Sequence, residues 1–116
     1  RVTDMKKIEA IVRPEKLESI KNAFLYAEID GLTIYEVNGC GNQYGFKTKI
    51  RGNEVMMNTL PKLYIMIVVP DQRADEIVNI IINTARTNEI GDGKIFISDV
   101  GECVRIRTGE RGIEAV

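Results

Sequence analysis

Residues 87–94 and 104–110 contain the side chains of this chain that are best suited to chemistry. The first segment has two glycines around Asp92 and ends in Lys94, and the second contains Arg105 and Arg107. If residues 103–107 form a strand, the two arginines are two positions apart and point to one face. The planar guanidinium group of arginine can donate hydrogen bonds to two phosphate oxygens at once, and lysine supplies a point charge. The pattern therefore fits either a phosphate site or a set of surface salt bridges.

Neither glycine-rich segment matches a standard nucleotide-binding motif. Residues 91–94 lack the spacing and the following Ser or Thr of a Walker A loop. Residues 39–45 follow a predicted strand, but their last glycine is one residue too far for a dinucleotide fingerprint, and no helix pattern follows. Their backbone N–H groups remain able to approach an anion, with simple loop flexibility as the alternative.

The composition argues against an enzyme and against a zinc site. The 116 residues suit one domain, and the chain has no histidine, no evident pair of catalytic carboxylates and a net charge of −1. Cys40 and Cys103 are too few for a disulfide framework and indicate reduced thiols. The first residues have no apolar signal core, and no apolar run approaches the ~20 residues of a membrane span. We expect a non-enzymatic, cytoplasmic protein.

Hydrophobic periodicity predicts the elements that position these segments. Alternation indicates strands at 8–12 and 32–37, and a nearly continuous apolar run at 63–69 predicts a central strand. Helical spacing predicts one helix that begins near Pro14 and ends at Gly31, and a second that begins near Pro70. Strands at about 93–98 and 103–107 follow. The order predicts an α+β, ferredoxin-like βαββαβ fold.

Residues 38–59 do not fit this compact arrangement. A loop of more than ~12–15 residues is uncommon unless it is functional or disordered. The segment contains four glycines, three basic residues and an apolar group around Val55, Met56 and Met57. We interpret it as an arm that contacts a partner, with a long exposed hairpin as the alternative.

Several motifs together resemble the PII family of nitrogen-regulatory signal proteins. Residues 87–100 read like its C-terminal signature, which has a Ser or Thr, three residues and then Gly-Asp-Gly-Lys-Ile-Phe. Residues 5–14, 60–62, 68–70 and 104–110 also match. The resemblance divides the chain into an extension at 1–4 and a PII-like domain at 5–116, with a T-loop at about 41–59. It implies a homotrimer with nucleotide clefts between subunits.

The resemblance also implies roles for individual residues, each named here by its position in this sequence. ATP or ADP phosphates lie against Gly91, Asp92, Gly93 and Lys94, and Arg105 and Arg107 reach them from the neighbouring subunit. Thr33 helps to hold the adenine, and Val68 belongs to the same cofactor site. At the T-loop base lie Gly41 and Gln43, with the Gln43 oxygen ligating the Mg²⁺ that accompanies ATP. Lys62 pairs with a carboxylate of 2-oxoglutarate. Target contacts are expected from Arg51, Val55 and Met56.

The sequence departs from the family pattern at Asn53, Val55 and Met66. Many members read Tyr-Arg-Gly-Ala-Glu-Tyr at the loop apex, with a nucleotidylated tyrosine or a phosphorylated serine. Here Val55 has no hydroxyl and Asn53 cannot be phosphorylated as serine is, so we expect no covalent modification at these positions. Met66 replaces the acidic residue that several members have near the adenine.

The function implied is a sensor of ATP, ADP and 2-oxoglutarate that regulates nitrogen assimilation through T-loop binding. An ammonium transporter is the expected target, recruiting the protein to the membrane, and glutamine synthetase or nitrogenase are alternative targets. A PII-like sensor of another metabolite, for example a bicarbonate-linked one, is a second interpretation. A ferredoxin-like oligomer with an unused cleft is a third.

Overall fold

The computed structural model describes residues 4–40, 49–50, 53–54 and 59–116, with only the backbone described at 49–50 and 53–54. The elements in chain order are β1 (Met5–Val12), α1 (Leu17–Tyr26), β2 (Thr33–Gly39), β3 (Lys49–Ile50), β4 (Asn53–Glu54), β5 (Leu60–Pro70), α2 (Asp71–Ala85) and β6 (Lys94–Val100). Short 3-10 helices occupy Pro14–Lys16 and Gly112–Ala115.

The main sheet has four strands in the order β2-β5-β1-β6. Each neighbouring pair is antiparallel: β2 with β5, β5 with β1, and β1 with β6. The crossover from β1 through α1 to β2 skips one strand position, which β5 fills. This is the split βαβ arrangement of ferredoxin-like folds, so the predicted fold class is confirmed, as is the central position of β5.

One face of the sheet packs against the two helices and forms the core. The alternation of β1 and β5 directs every second side chain to that face. The residues buried there include Ile8, Ala10, Val12, Leu63, Ile65, Ile67 and Val69 from the strands, and Ile20, Phe24, Ile77 and Ile81 from the helices. Full burial of each large aliphatic side chain contributes about 1.5–3 kcal/mol. This core fixes the register of both central strands.

The other face of the sheet has no helix over it, and we call it the open face. Its residues in the two central strands include Ile11, Tyr64, Met66 and Val68, which the register places opposite the helix-facing set. Tyr35 of β2 stacks on Tyr64, with ring centroids 5.2 Å apart. At the β6 edge, Phe96 is half exposed. The open face therefore combines apolar and aromatic side chains with the charged residues Lys7, Glu9 and Lys94.

The beginning of β5 extends past the end of β1 and carries Lys62. Val12, the last residue of β1, pairs with Leu63, so residues 60–62 pair only with β2. Pro61 has no N–H to donate and is tolerated where one edge of the strand has no partner. The sequence predicted the strand only from residue 63, and the three additional residues place Lys62 beside the β1–α1 connection.

The C-terminal strand predicted at 103–107 is wrong. Residues 106–108 form a turn, and the only ladder contact there is an isolated bridge between Val104 and Arg111. The Arg105 N–H donates to the Glu110 carbonyl, and the Gly109 N–H donates to the Arg105 carbonyl. These local bonds close a tight loop in place of a strand. The first helix also ends earlier than predicted, at Tyr26 rather than Gly31.

No helix in the described ranges is long and apolar enough to cross a membrane.

Candidate functional site

Residues 86–93 connect the end of α2 to the start of β6, and we call them the glycine loop. Gly91 and Gly93 have φ angles of +105° and +101°, a region that glycine enters without steric cost. A Cβ at position 93 would lie 1.6 Å from the carbonyl oxygen of Ile11. The loop passes so close to the backbone of β1 that no side chain fits at this position.

Asp92 organises the glycine loop from within. One carboxylate oxygen accepts hydrogen bonds from the N–H groups of Thr87 and Asn88, at 2.7 and 2.9 Å. The other accepts from the Thr87 hydroxyl and from Nε of Arg13, the latter at 3.1 Å. Donation by Thr87, above all, holds the pKa of the Asp92 carboxyl well below its ordinary value. The carboxylate is thus fully engaged by the protein.

Two cations bind carbonyl groups of the same loop. An Nη atom of Arg13 donates to the Ile90 carbonyl at 2.9 Å, and Nζ of Lys62 donates to the Gly91 carbonyl at 3.0 Å. Arg13 follows β1 and Lys62 precedes the core section of β5, so both central strands reach the loop. Lys62 is 8% exposed. Its burial lowers the pKa of the ammonium group, and the nearby Arg13 charge lowers it further.

Lys94 opens β6 as predicted, and its side chain is exposed. The register places Lys94 beside Ile11 on the open face, in a row that continues through Tyr64 to Tyr35. Thr33 begins β2, three strands away from β6, or about 14 Å at ordinary strand spacing. Thr33 and Val68 are both half-buried on that face. A ligand with its anionic end at Lys94 can extend across the open face toward them.

The predicted arginine pair is not brought to the glycine loop within one chain. Nη1 of Arg105 forms an ion pair with Glu110 at 2.9 Å, in its own turn. In the described part of the chain, neither Arg105 nor Arg107 forms a hydrogen bond or ion pair with residues 91–94. Because residues 103–107 do not form a strand, the prediction that both arginines point to one face of a strand is wrong. Any contact of these two arginines with a phosphate at the glycine loop would have to be made from a second copy of the chain.

A cleft of about 420 Å³ lies next to Lys62, at the end of β2 that leads into residues 41–59. It is lined by Pro14, Glu36, Val37, Asn38, Pro61, Lys62 and Leu63. Packing is close at its rim, where a Cβ on Gly39 would lie 3.3 Å from Cγ of Lys62. The predicted site residues Gly41, Gln43, Arg51, Val55 and Met56 lie outside the described residues. No group of metal-binding His, Cys, Asp or Glu side chains occurs within the described ranges.

Arg13 and Thr87 are site residues to which the sequence reasoning gave no role. Arg13 lies 79 positions before Asp92, and nothing in the local sequence indicates that partner. Its position directly after a predicted strand and before Pro14 was the available signal. A polar residue at a strand end often belongs to a site, but its partner depends on the topology.

The whole chain resembles known nitrogen-regulatory proteins. Residues 5–110 match the family model described as nitrogen regulatory protein P-II. Nitrogen regulatory protein P-II 2 of Methanothermobacter thermautotrophicus is 53% identical over 112 residues, covering 97% of both chains. The structure of Arabidopsis thaliana PII bound to citrate aligns with a TM-score of 0.81 at 37% identity, covering 98% of this chain and 94% of that one. A Bacillus subtilis GlnK–ATP complex aligns with a TM-score of 0.78 at 32% identity, covering 97% of both chains. The chain belongs to the nitrogen regulatory protein P-II family.

Proposed function

We propose that this protein is a non-enzymatic sensor of ATP, ADP and 2-oxoglutarate that regulates nitrogen assimilation in the cytoplasm. Nucleotide phosphates bind at residues 91–94 and the base lies on the open face near Thr33 and Val68. The residues around 41–59 form the T-loop, which contacts the target. Gln43 holds the Mg²⁺ that accompanies ATP, and the ion there neutralises phosphate charge.

The observation that carries this proposal is the bond from buried Lys62 to the Gly91 carbonyl. It joins the glycine loop to the strand that leads out of residues 41–59. A cation in that position is also suited to a dicarboxylate in the adjoining cleft, because Lys62 has three donors and spends one on Gly91. Lys62 thus links a dicarboxylate in the cleft to a nucleotide at the glycine loop. Each of these ligands then changes the other's affinity by the same factor, as linkage requires.

The B. subtilis relative in complex with ATP supports the nucleotide part of the proposal. The Lys94→Ala substitution tests it in this chain. Since Lys94 is exposed at a strand start, its loss should leave the free energy of unfolding nearly unchanged while weakening ATP binding at least tenfold. Lys21→Ala, which removes an exposed lysine from α1, is the matched control. Equal ATP affinity in the two variants would contradict a phosphate role for Lys94.

Calorimetry with 2-oxoglutarate tests the effector. We expect binding only when ATP and Mg²⁺ are both present, and loss of that binding in Lys62→Met. Binding of neither nucleotide nor 2-oxoglutarate would favour an oligomer with an unused cleft. Binding of nucleotide with a different small anion would favour the sensor of another metabolite.

The target is an ammonium transporter on this proposal, and Arg51, Val55 and Met56 make the contact at the membrane. Control is by ligands alone, since Asn53 and Val55 provide no hydroxyl for modification. A pull-down from membranes with the ligand state varied tests the first point. Mass spectrometry that finds a nucleotidyl or phosphoryl group at these positions would contradict the second.

A further inference from the structure

Arg13 has a defined position at the glycine loop but no part in the proposed function. Its side chain is 15% exposed and spans two acceptors, the Asp92 carboxylate and the Ile90 carbonyl. A guanidinium group that donates to two protein acceptors has fewer N–H donors left for a ligand. The role of Arg13 therefore depends on the two groups that it holds in place, the Asp92 carboxylate and the Ile90 carbonyl.

The geometry of the peptide group gives that role. A trans peptide is planar, and its C=O and N–H bonds point in opposite directions. No peptide bond in the described ranges is cis. When Arg13 holds the Ile90 carbonyl, the N–H of Gly91 is directed away from Arg13. When Lys62 holds the Gly91 carbonyl, the N–H of Asp92 is directed away from Lys62.

Of these two N–H groups, that of Gly91 is the one left for a ligand. The N–H groups of Thr87, Asn88 and Glu89 are used by side chains within the loop. In the part of the chain that the structure describes, the Gly91 N–H donates to no protein acceptor, whereas the Asp92 N–H is directed at the Glu89 carbonyl in the turn at residues 90–91. Because Gly91 has a positive φ and no side chain, its N–H can be approached closely by an anion.

We propose that Arg13 is a positioning residue, which with Asp92 and Lys62 holds the glycine loop so that the N–H group of Gly91 faces a bound anion. The inference rests on the proposed phosphate site and changes the role of two residues in it. The Asp92 carboxylate serves as an internal brace and not as a phosphate contact. Arg13 acts through the loop and does not touch the ligand.

Replacing Arg13 by lysine distinguishes a positioning role from a role that needs only its positive charge. Arg13→Lys keeps the charge but cannot reproduce a planar fork that reaches Asp92 and Ile90 together. Arg13→Gln removes the charge as well. If orientation is the function, Arg13→Lys should recover little of the affinity for inorganic tripolyphosphate and for ATP. We expect at least a tenfold loss in Arg13→Gln and most of that loss in Arg13→Lys.

The matched control is Arg73→Gln, which removes an arginine from the start of α2. Arg73 forms an ion pair with Glu76 and lies about 18 Å along the helix from its loop-proximal end. It should bind tripolyphosphate as the unsubstituted protein does. Full recovery in Arg13→Lys, or equal loss in Arg73→Gln, would mean that charge alone is responsible and would overturn the proposal.

A second measurement separates this inference from the proposed function. In ¹H–¹⁵N spectra without any nucleotide, Arg13→Gln should shift the amide signals of Gly91 and Asp92 and leave that of Gly101 in place. Unchanged loop amides would overturn the positioning role whatever the protein binds. If the amides shift but the unsubstituted protein binds neither ATP nor tripolyphosphate, the positioning of the loop stands and its assignment to phosphate fails.

Discussion

Gly93 is the residue that the surrounding backbone constrains most closely. Its φ of +101° is unfavourable for any other residue, and a Cβ there would overlap the Ile11 carbonyl. Gly93→Ala should therefore lower the free energy of unfolding by more than about 2 kcal/mol, because loop and strand must separate to make room. Gly101→Ala is the control, since a Cβ at Gly101 meets nothing within 4 Å. Similar urea midpoints for the two variants would contradict the close approach.

Asp92 gives the glycine loop a pH dependence whose sign follows from its environment. Its folded pKa is lowered by the Thr87 donors and by Arg13, while an unfolded Asp has a pKa of about 3.9. The stabilisation is therefore complete above about pH 5 and is lost as the pH falls below 3.9 toward the folded value.

Asp92→Asn lacks this stabilisation, so its deficit relative to the unsubstituted protein should be largest at pH 7 and should shrink toward pH 3. Urea unfolding at pH 7, 5, 4 and 3 measures the difference, in which the other carboxylates cancel. A deficit that is constant with pH would show that the Asp92 charge does not matter.

The sequence located the glycine loop and Lys94, because turn residues beside a strand start are a local pattern. It gave Asp92 a ligand role and Arg13 no role, because their bonds depend on how β1 and the glycine loop meet in space. Lys62 was predicted to hold an effector. Its bond to the Gly91 carbonyl was not predicted, because that bond also depends on how distant segments meet in space. Local chemistry could be read from the chain, but pairing across 29 or 79 positions could not.

At the scale of elements, the sequence predicted the strands and helices of the core well and failed at the C-terminal segment. Burial fixes β1, β5 and α2, whose apolar alternation or stripe matches one face. Residues 103–107 also alternate, but Ile106 is fully exposed and packs on nothing. Because a strand at this position would bury no apolar side chain, the local bonds between Arg105 and Glu110 determine the conformation.

Gly109→Ala tests this turn. The Gly109 φ of +74° costs an alanine roughly 1–2 kcal/mol, although there is space for its Cβ. The turn should open more often, and the Arg105 amide, which donates to Glu110, should exchange with solvent about 5–30-fold faster. Exchange of the amides in β1 should not change. Unaltered exchange at Arg105 would indicate an extended strand at this position after all.

At the scale of the whole molecule, the open face carries exposed apolar side chains that a single chain leaves uncovered. Apolar and aromatic side chains share it with Lys7, Glu9 and Lys94, and Tyr35 and Phe96 are each about half exposed, at 52% and 49%. An exposed face of this kind indicates contact between chains. In the homotrimer that the family resemblance implies, Arg105 and Arg107 of one copy reach the glycine loop of another, which they do not do in the single chain.

The homotrimer inferred from the family can be tested on that face. Phe96→Asp places a charge where copies would meet, so light scattering should give the mass of the 13.0 kDa chain alone, against three times that mass for the unsubstituted protein. Tyr26→Ser, at a 93% exposed position on α1, should remain trimeric. Phe96→Asp should also lose ATP affinity, since its arginines no longer reach a neighbouring glycine loop. A monomeric unsubstituted protein, or a trimeric Phe96→Asp variant with full ATP affinity, would contradict a site completed between subunits across this face.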